Sequence, residues 1–338
     1  MHKNIIVIGA GQYGLIASYF LKEQKQDFLV LEKNDRVGDN WRKRFESMKL
    51  FSPAKYNALP GLPIALDGDV RPTKNQMADY FDRYIDHFEL PVETNVEVKS
   101  ITLIDGKYAI HTYRGDFTCD IIIMANGISQ HPITPEWVNK LAIPHIHISN
   151  YRNPVSVKGK KVLVVGEGNS SAQIASELVK YFEVDWARDP KKKFTSLYVL
   201  GKNVYWWNEK LSWSKNNPSS EQPIYLYDDL KGLLKRVNKK AKVEDANGSL
   251  VAFADGTSAP YDFVIYSEGY LPDYDLFQIP DFELDIDQIR NNRGISSMPR
   301  IFFIGIPYQR NCLSYDPNHA IEDVKHILEK IESTPVLK

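Results

Sequence analysis

Ile5-Ile6-Val7-Ile8-Gly9-Ala10-Gly11-Gln12-Tyr13-Gly14 is the stretch from which the rest of the chain can be read. Its first four residues are all β-branched, and such side chains fit the pleated, buried surface of a strand. Glycines then interrupt the run, and apolar residues at helical spacing follow from Leu15 to about Lys22. A second apolar run, Phe28-Leu29-Val30-Leu31, closes with Glu32 and completes a βαβ unit. In such a unit Gly9 permits the tight turn, Gly11 lets backbone amides approach a pyrophosphate, and Gly14 lets helix and strand pack closely. The helix N-terminus faces the phosphates, with Gln12 in the turn. Glu32 is placed to accept hydrogen bonds from ribose hydroxyls, with Lys33 beside it.

The same pattern returns 157 residues later, a domain-sized interval between Gly9 and Gly166. Lys161-Val162-Leu163-Val164-Val165 reads as a strand, and Gly166-Glu167-Gly168-Asn169-Ser170 as the turn. Ser171 to Lys180 reads as a helix, and Glu183 to Ala187 as the next strand. Ser171 stands at the third small position and crowds helix against strand slightly. Arg188 and Asp189 then point to different cofactors. A guanidinium can clamp the 2′-phosphate of NADPH, whereas Asp189, which matches Glu32 in its offset from the first glycine, suits the free ribose of NADH. With Lys191, Lys192 and Lys193 the local field is positive, so NADPH is expected, with NADH as the alternative.

The expected fold is therefore α/β with two dinucleotide-binding, Rossmann-like domains, the NAD(P) domain inserted into the FAD domain. The segments 1–155 and 271–338 are assigned to the first and 156–270 to the second, with Pro-containing connectors at Asn150 to Gly159 and Tyr270 to Pro272. Arg71 to Phe88 reads as a helix capped by Asn75 or Thr73, with an apolar stripe. Pro91 to Ile104, Lys107 to Thr112 and Phe117 to Met124 read as strands forming a third layer of the first domain. Trp213 to Pro223 reads as a mobile loop, Ile301 to Gly305 as a strand, and Pro317 to Ile331 as a helix.

The 338 residues are 43% hydrophobic and 25% charged with a formal net charge of -1, which gives no general attraction to nucleic acid or anionic membranes. The two cysteines, Cys119 and Cys312, form neither a Cys-x-x-Cys pair nor a thiolate cluster, so neither a dithiol redox centre nor a metal site is expected. The short apolar run at the start, broken at Gly9, reads as neither signal peptide nor membrane span, and a cytoplasmic location is expected.

Beyond these units the chain resembles the class B flavin-dependent monooxygenases, especially their short bacterial members and the cation-efflux-associated flavoprotein group. Gly38-Asp39-Asn40-Trp41, Ser47-Met48-Lys49-Leu50-Phe51-Ser52-Pro53 and Leu59-Pro60-Gly61 resemble the family's flavin-contacting segment. Arg71-Pro72-Thr73-Lys74 resembles its Tyr-Pro-Thr-Lys segment, Ala125-Asn126-Gly127 its Ala-Thr-Gly motif, and Gly166 to Ala175 its nucleotide motif. The family fingerprint Phe-x-Gly-x-x-x-His-x-x-x-Trp/Tyr reads here as Leu141, Ile143, His147 and Tyr151, so its Phe and Gly are replaced. Ser267-Glu268-Gly269-Tyr270 stands where the family often has Ala-Thr-Gly-Tyr.

The resemblance implies FAD and NADPH as cofactors, with hydride transfer to flavin and then use of O2 through a C4a-hydroperoxide to oxygenate a small organic substrate. It also implies that Asn40, Trp41, Leu50, Val98, Ala125, Asn126, Gly127 and Gly305 lie near FAD, and Asn169, Ser170 and Gln173 near the nicotinamide nucleotide. Ser52, where some members carry an Asn against the flavin, and His147 are the candidate catalytic residues. The N-terminus of the last helix, around Asn318 to Ala320, would face the flavin pyrimidine by analogy. Val204 to Trp207 lines either the substrate mouth or a core. A homodimer is left open. A reductase of quinones, disulfides or other acceptors is the alternative function, and a non-catalytic flavin module is a third.

Overall fold

The computed structural model describes residues 1–127, 129–211, 224–227, 230–273, 275–282, 284–307, 309–310 and 317–333, with only the backbone of Asn318. The expected loop at Trp213 to Pro223 lies outside them.

Strand His2–Ile8 is the centre of the first sheet, paired in parallel with Phe28–Leu31 on one side and Phe117–Met124 on the other. Alternation along the strand sends Ile5 and Val7 to one face and Ile6 and Ile8 to the other, and all four are buried. Helices Gln12–Glu23, Lys74–Phe88 and Pro317–Ser333 cover the first face through Leu15, Ile16, Met77, Tyr80, Val324 and Ile327. Burial on both faces is why the strand reads as an uninterrupted apolar run.

Strands Val98–Ile104 and Lys107–Thr112 are hydrogen-bonded into the same sheet through Phe117–Met124, and as the expected third layer their Val98, Ile101, Tyr108 and Ile110 pack with Ile6, Ile8, Leu29 and Leu31 on its second face. Strand Phe117–Met124 is long enough to serve both parts. Its beginning pairs antiparallel with Lys107–Thr112, while its end pairs in parallel with Ile301–Phe303.

The second sheet runs, in spatial order, Asn238–Lys240, Glu183–Ala187, Lys161–Val165, Phe263–Tyr266 and His145–His147, with every pair parallel. Helix Asn169–Leu178 covers one face. The antiparallel strands Val243–Asn247, Leu250–Phe253 and Ser258–Pro260 help cover the other. The chain enters this second unit upstream of the expected boundary at residue 156. Trp137, Val138 and Leu141 already belong to its core, and His145–His147 supplies its edge strand, which completes the cover of Tyr266. After Tyr270–Leu271 the chain rejoins the first sheet, where Ile101 exchanges backbone hydrogen bonds with Leu276 and Gln278.

Two helix starts differ from the sequence reading. The helix expected from Arg71 begins at Lys74, because Thr73 forms a capping box with Gln76: the Thr73 Oγ1 accepts from Gln76 N at 3.3 Å and the Gln76 Oε1 accepts from Thr73 N at 2.9 Å. The helix of the second nucleotide motif begins at Asn169 rather than Ser171, immediately after the extended Gly168.

Candidate functional site

A cleft of about 650 Å³ opens at the C-terminal ends of the first sheet's parallel strands, where Ile8, Leu31 and Ala125 line it. In open α/β sheets that is the edge at which ligands bind. Gly9, Gly11, Gln12, Glu32 and Lys33 line one end of the cleft, with Val98, Ala125, Asn126, Gly127 and Gly305 also on its wall. Asn40, Trp41, Leu50 and Ser52 also line it, so the family-like flavin segment shares one cavity with the glycine turn.

Gly14 acts outside the cavity. A Cβ there would sit 1.9 Å from the Gly9 carbonyl oxygen, so only glycine lets the first helix approach its own turn. At Gly11, by contrast, a Cβ would meet nothing within 4 Å, and Gly168 in the second turn is equally open. Each turn therefore leaves free space over its backbone at the start of a helix, which is what a pyrophosphate requires.

The Glu32 carboxylate is buried and fixed. Its Oε2 accepts from Ala10 N at 2.9 Å, while Oε1 accepts from Asn34 N at 2.9 Å and from Asn34 Nδ2 at 2.6 Å. Lys33 reaches across to donate to Gln130 Oε1 at 2.5 Å, and Gln130 in turn donates to the Asn126 carbonyl.

Ser52 donates from its hydroxyl to Asn57 Oδ1 at 2.8 Å, and Asn57 Nδ2 donates to the carbonyls of Ser52 and Pro53, both at 2.9 Å. Both side chains are buried on the cleft wall. The serine is therefore already engaged, and Asn57 is the carboxamide that sequence reading missed. Its signal was faint: it closes the four-residue helix Ala54–Asn57 behind Pro53, in a segment with no motif of its own. Arg44 and Tyr205 also line the cleft. Tyr205, from helix Val204–Leu211 of the inserted unit, stacks on Tyr56 with ring centres 5.5 Å apart, while Tyr225 lies 5.8 Å from Phe51. An aromatic seam thus closes the inserted unit over the flavin-like segment: Tyr205 lines the cleft, while Val204 and Trp206 pack with it in a small core.

The second turn is pinned by Trp186, whose Nε1 donates to the Gly166 carbonyl at 2.9 Å. Asn169 and Gln173 both reach outward from the helix that follows. Asn169 Oδ1 accepts from Tyr225 N at 2.7 Å, and Gln173 Nε2 donates to the Lys49 carbonyl at 3.5 Å. Ser170, half-buried, stands between them at the helix start.

Arg188 is buried, with its guanidinium 4.6 Å from the Phe194 ring centre and 5.3 Å from that of Trp186. It donates to the carbonyls of Asp189 at 2.7 Å and Lys192 at 3.3 Å, and burial pulls its pKa below the ordinary arginine value. It therefore shapes the lysine turn from beneath. Asp189 accepts from Lys191 N at 2.8 Å, the main reason its carboxyl stays below the usual range. Lys242 bridges Glu167 at 2.8 Å and Asp189 at 3.7 Å. Sequence reading did not single out this cation, because it is far from both carboxylates along the chain.

His147 lies in the packed junction between the units, away from the cleft wall. Its Nδ1 accepts from Ser149 N at 3.2 Å and lies 2.8 Å from Ser149 Oγ, and its ring meets Tyr266 and Tyr270 edge-on. Burial lowers its pKa, so the ring is neutral at pH 7, and an accepting Nδ1 places the proton on Nε2. Among the described residues no group of three or more His, Cys, Asp or Glu could hold a metal ion, and no helix is long and apolar enough to cross a membrane.

Residues 6–305 match the model of the pyridine nucleotide-disulphide oxidoreductase family. An uncharacterized CzcO-like oxidoreductase of Geobacillus kaustophilus is 34% identical over 90% of this chain and 91% of its own length. Among solved structures, a flavin-containing monooxygenase from Stenotrophomonas maltophilia superposes with a TM-score of 0.83 at 22% identity, covering 98% of this chain and 99% of that one. The bacillithiol disulfide reductase of Staphylococcus aureus superposes at 0.72 and 17% identity, over 98% and 99%. At such identities the structural likeness speaks to the fold, and it bears out the two Rossmann-type domains. With most of its length matched by the family model, the chain belongs to the pyridine nucleotide-disulphide oxidoreductase family.

Proposed function

We propose that the chain is an NADPH-dependent FAD monooxygenase acting on a small organic substrate. The observation that carries this reading is the single cleft. It begins at the Gly9–Gly11 turn and Glu32, passes Leu50, Ser52 and Asn57, and ends against Tyr205 of the inserted unit. Its volume lies within the roughly 300–1,000 Å³ of ligand pockets, and among the described residues no cysteine lines it. The similarity to a flavin-containing monooxygenase supports the same reading.

FAD fits the residues present. The open backbone over Gly11 takes its pyrophosphate, Glu32 its ribose, and the Leu50–Ser52 wall its ring. NADPH takes the second turn, with the positive Lys191–Lys193 segment, organised by Arg188, toward its 2′-phosphate. When bound, the flavin supplies hydride acceptance and oxygen activation. The chain's own residues hold and shield. Ser52 and Asn57 fix each other's hydrogen-bonding groups at the ring end, and the Tyr56–Tyr205 and Phe51–Tyr225 contacts exclude water there. His147, held as one neutral tautomer, positions the connector beside the nucleotide turn.

The test is reduction of the FAD-loaded protein by NADPH under nitrogen, followed by mixing with O2 and a soft nucleophile such as a thioether. Oxygenated product formed in step with NADPH consumption supports the proposal. Stoichiometric release of hydrogen peroxide with no oxygenated product overturns it. The second reading, reduction of a quinone or disulfide without oxygen insertion, is favoured by Leu141 and Ile143 in place of the fingerprint's Phe and Gly. The likeness to a bacillithiol disulfide reductase supports it too. Turnover with such acceptors under nitrogen, absent any oxygenation in air, would select it.

A further inference from the structure

The second nucleotide turn carries an unusual charge arrangement. Strand Phe263–Tyr266 runs beside Lys161–Val165, and Ser267 N donates to the Val165 carbonyl at 3.0 Å, so Ser267 and Glu268 emerge next to Gly166 and Glu167. The approach is close: a Cβ on Gly166 would come within 3.0 Å of the Ser267 carbonyl oxygen. Glu167 and Glu268 are therefore neighbours at the turn read as the pyrophosphate site, close enough for their carboxylates to repel. Lys242 is the cation set against this pair, and it is shared, with its Nζ 2.8 Å from Glu167 and 3.7 Å from Asp189. Seating two phosphate charges here brings a further anion to a rim where carboxylates already outnumber the amine. A carboxylate beside new negative charge relieves the repulsion by binding a proton.

We propose that Glu268 takes up a proton when the nicotinamide nucleotide seats its pyrophosphate on the Gly166–Gly168 turn, so that affinity at this site falls as pH rises. This rests on the reading of that turn as the nicotinamide nucleotide site. Partial burial and the Glu167 carboxylate already hold the Glu268 carboxyl above the usual carboxylate range, and Lys242 pulls the other way. The sign follows directly. The bound state favours the protonated acid more than the free state does, so binding is tightest below the free-protein pKa. It weakens as pH climbs, and levels off above the pKa of the complex. Glu268 replaces a neutral residue of the family-like Ala-Thr-Gly-Tyr segment, so the coupling is a property of this chain.

The test uses the FAD-loaded protein and NAD+, whose lack of a 2′-phosphate removes the ligand's own titration in this range, with NADP+ measured alongside. Calorimetry at about pH 7 in two buffers of different ionisation enthalpy counts protons exchanged per nucleotide bound. The dissociation constant is then followed from about pH 5 to about pH 8. The parent is expected to take up a substantial fraction of a proton and to weaken roughly tenfold across the range, one pKa unit of coupling being tenfold. Glu268→Gln should take up almost none, lose the pH dependence, and bind at pH 8 about as tightly as the parent does at pH 5. Glu167→Gln should move the parent's profile to lower pH. Equal proton uptake and equal pH profiles in parent and Glu268→Gln would overturn the proposal while leaving the nucleotide site standing. Failure of both to bind either nucleotide would overturn the site reading and the proposal together.

Discussion

At Glu32 one carboxylate has two tasks, holding the glycine turn through Ala10 N and presenting itself to the cleft. Glu32→Ala removes an acceptor from three donors and, on the proposed reading, from the ribose. FAD affinity should fall by about 1–3 kcal/mol, the scale of a hydrogen bond to a charged group. Flavin absorbance per purified chain measures it, and full occupancy would show that Glu32 does not hold the ribose. Arg188 is a different case. Its guanidinium supports the Asp189 and Lys192 carbonyls from below, so Arg188→Ala should disorganise the lysine turn. The Michaelis constant for NADPH should then rise by the equivalent of about 1–3 kcal/mol, with that for NADH rising much less. Equal increases for both would remove the 2′-phosphate from the argument. The glycines and Glu32 were legible from sequence because motif spacing specifies them, and the flavin-like segment through its resemblance to the class B monooxygenases. Asn57 was not, because its segment carries no motif, and Lys242 was not, because only folding brings it near Glu167.

Among the elements, the first helix is the most exacting. Because a Cβ at Gly14 would overlap the Gly9 carbonyl, Gly14→Ala must push helix and strand apart. It should destabilise the protein by about 1–3 kcal/mol as overpacking does, with FAD loss before global unfolding in a thermal melt followed by flavin fluorescence. Retention of flavin up to the parent's melting temperature would count against that tight fit. The parallel strands were readable because burial on both faces leaves unbroken apolar runs. The sheet membership of Val98–Ile104 and Lys107–Thr112 was not, since alternation identifies a strand but not the partner it chooses. Thr73, one of the two expected caps, is the one the structure uses, and its capping box sets the helix start three residues after Arg71.

Over the whole molecule the two units share their cores. Phe45 lies in the flavin-like segment of the first unit yet is buried in the core of the second, beside Tyr151, while Trp41 packs against both cores. Phe45→Ala should therefore cost about 3–5 kcal/mol as a large-to-small core change, and a single unfolding transition should separate into two in calorimetry. A single transition at the parent's temperature would show that the units are not joined there. The order of the two domains was clear from two glycine motifs a domain apart. The entry point into the second unit was not, because His145–His147 is too short to announce itself as a strand.

The chain passes between the units by two threads laid side by side. Strand His131–Pro132 pairs antiparallel with Tyr270–Leu271, and Asn126 Nδ2 donates to the Asp273 carbonyl at 3.1 Å close by. One thread would let the inserted unit swivel in any direction, whereas two threads hydrogen-bonded to each other act as a door hinge with one easy axis. A swing about that axis would have to part the Tyr56–Tyr205 and Phe51–Tyr225 contacts between the units. If the proposed function holds, admission of a substrate and withdrawal of the nicotinamide carrier would both call on that one movement, so a mutation that eased either would loosen the other.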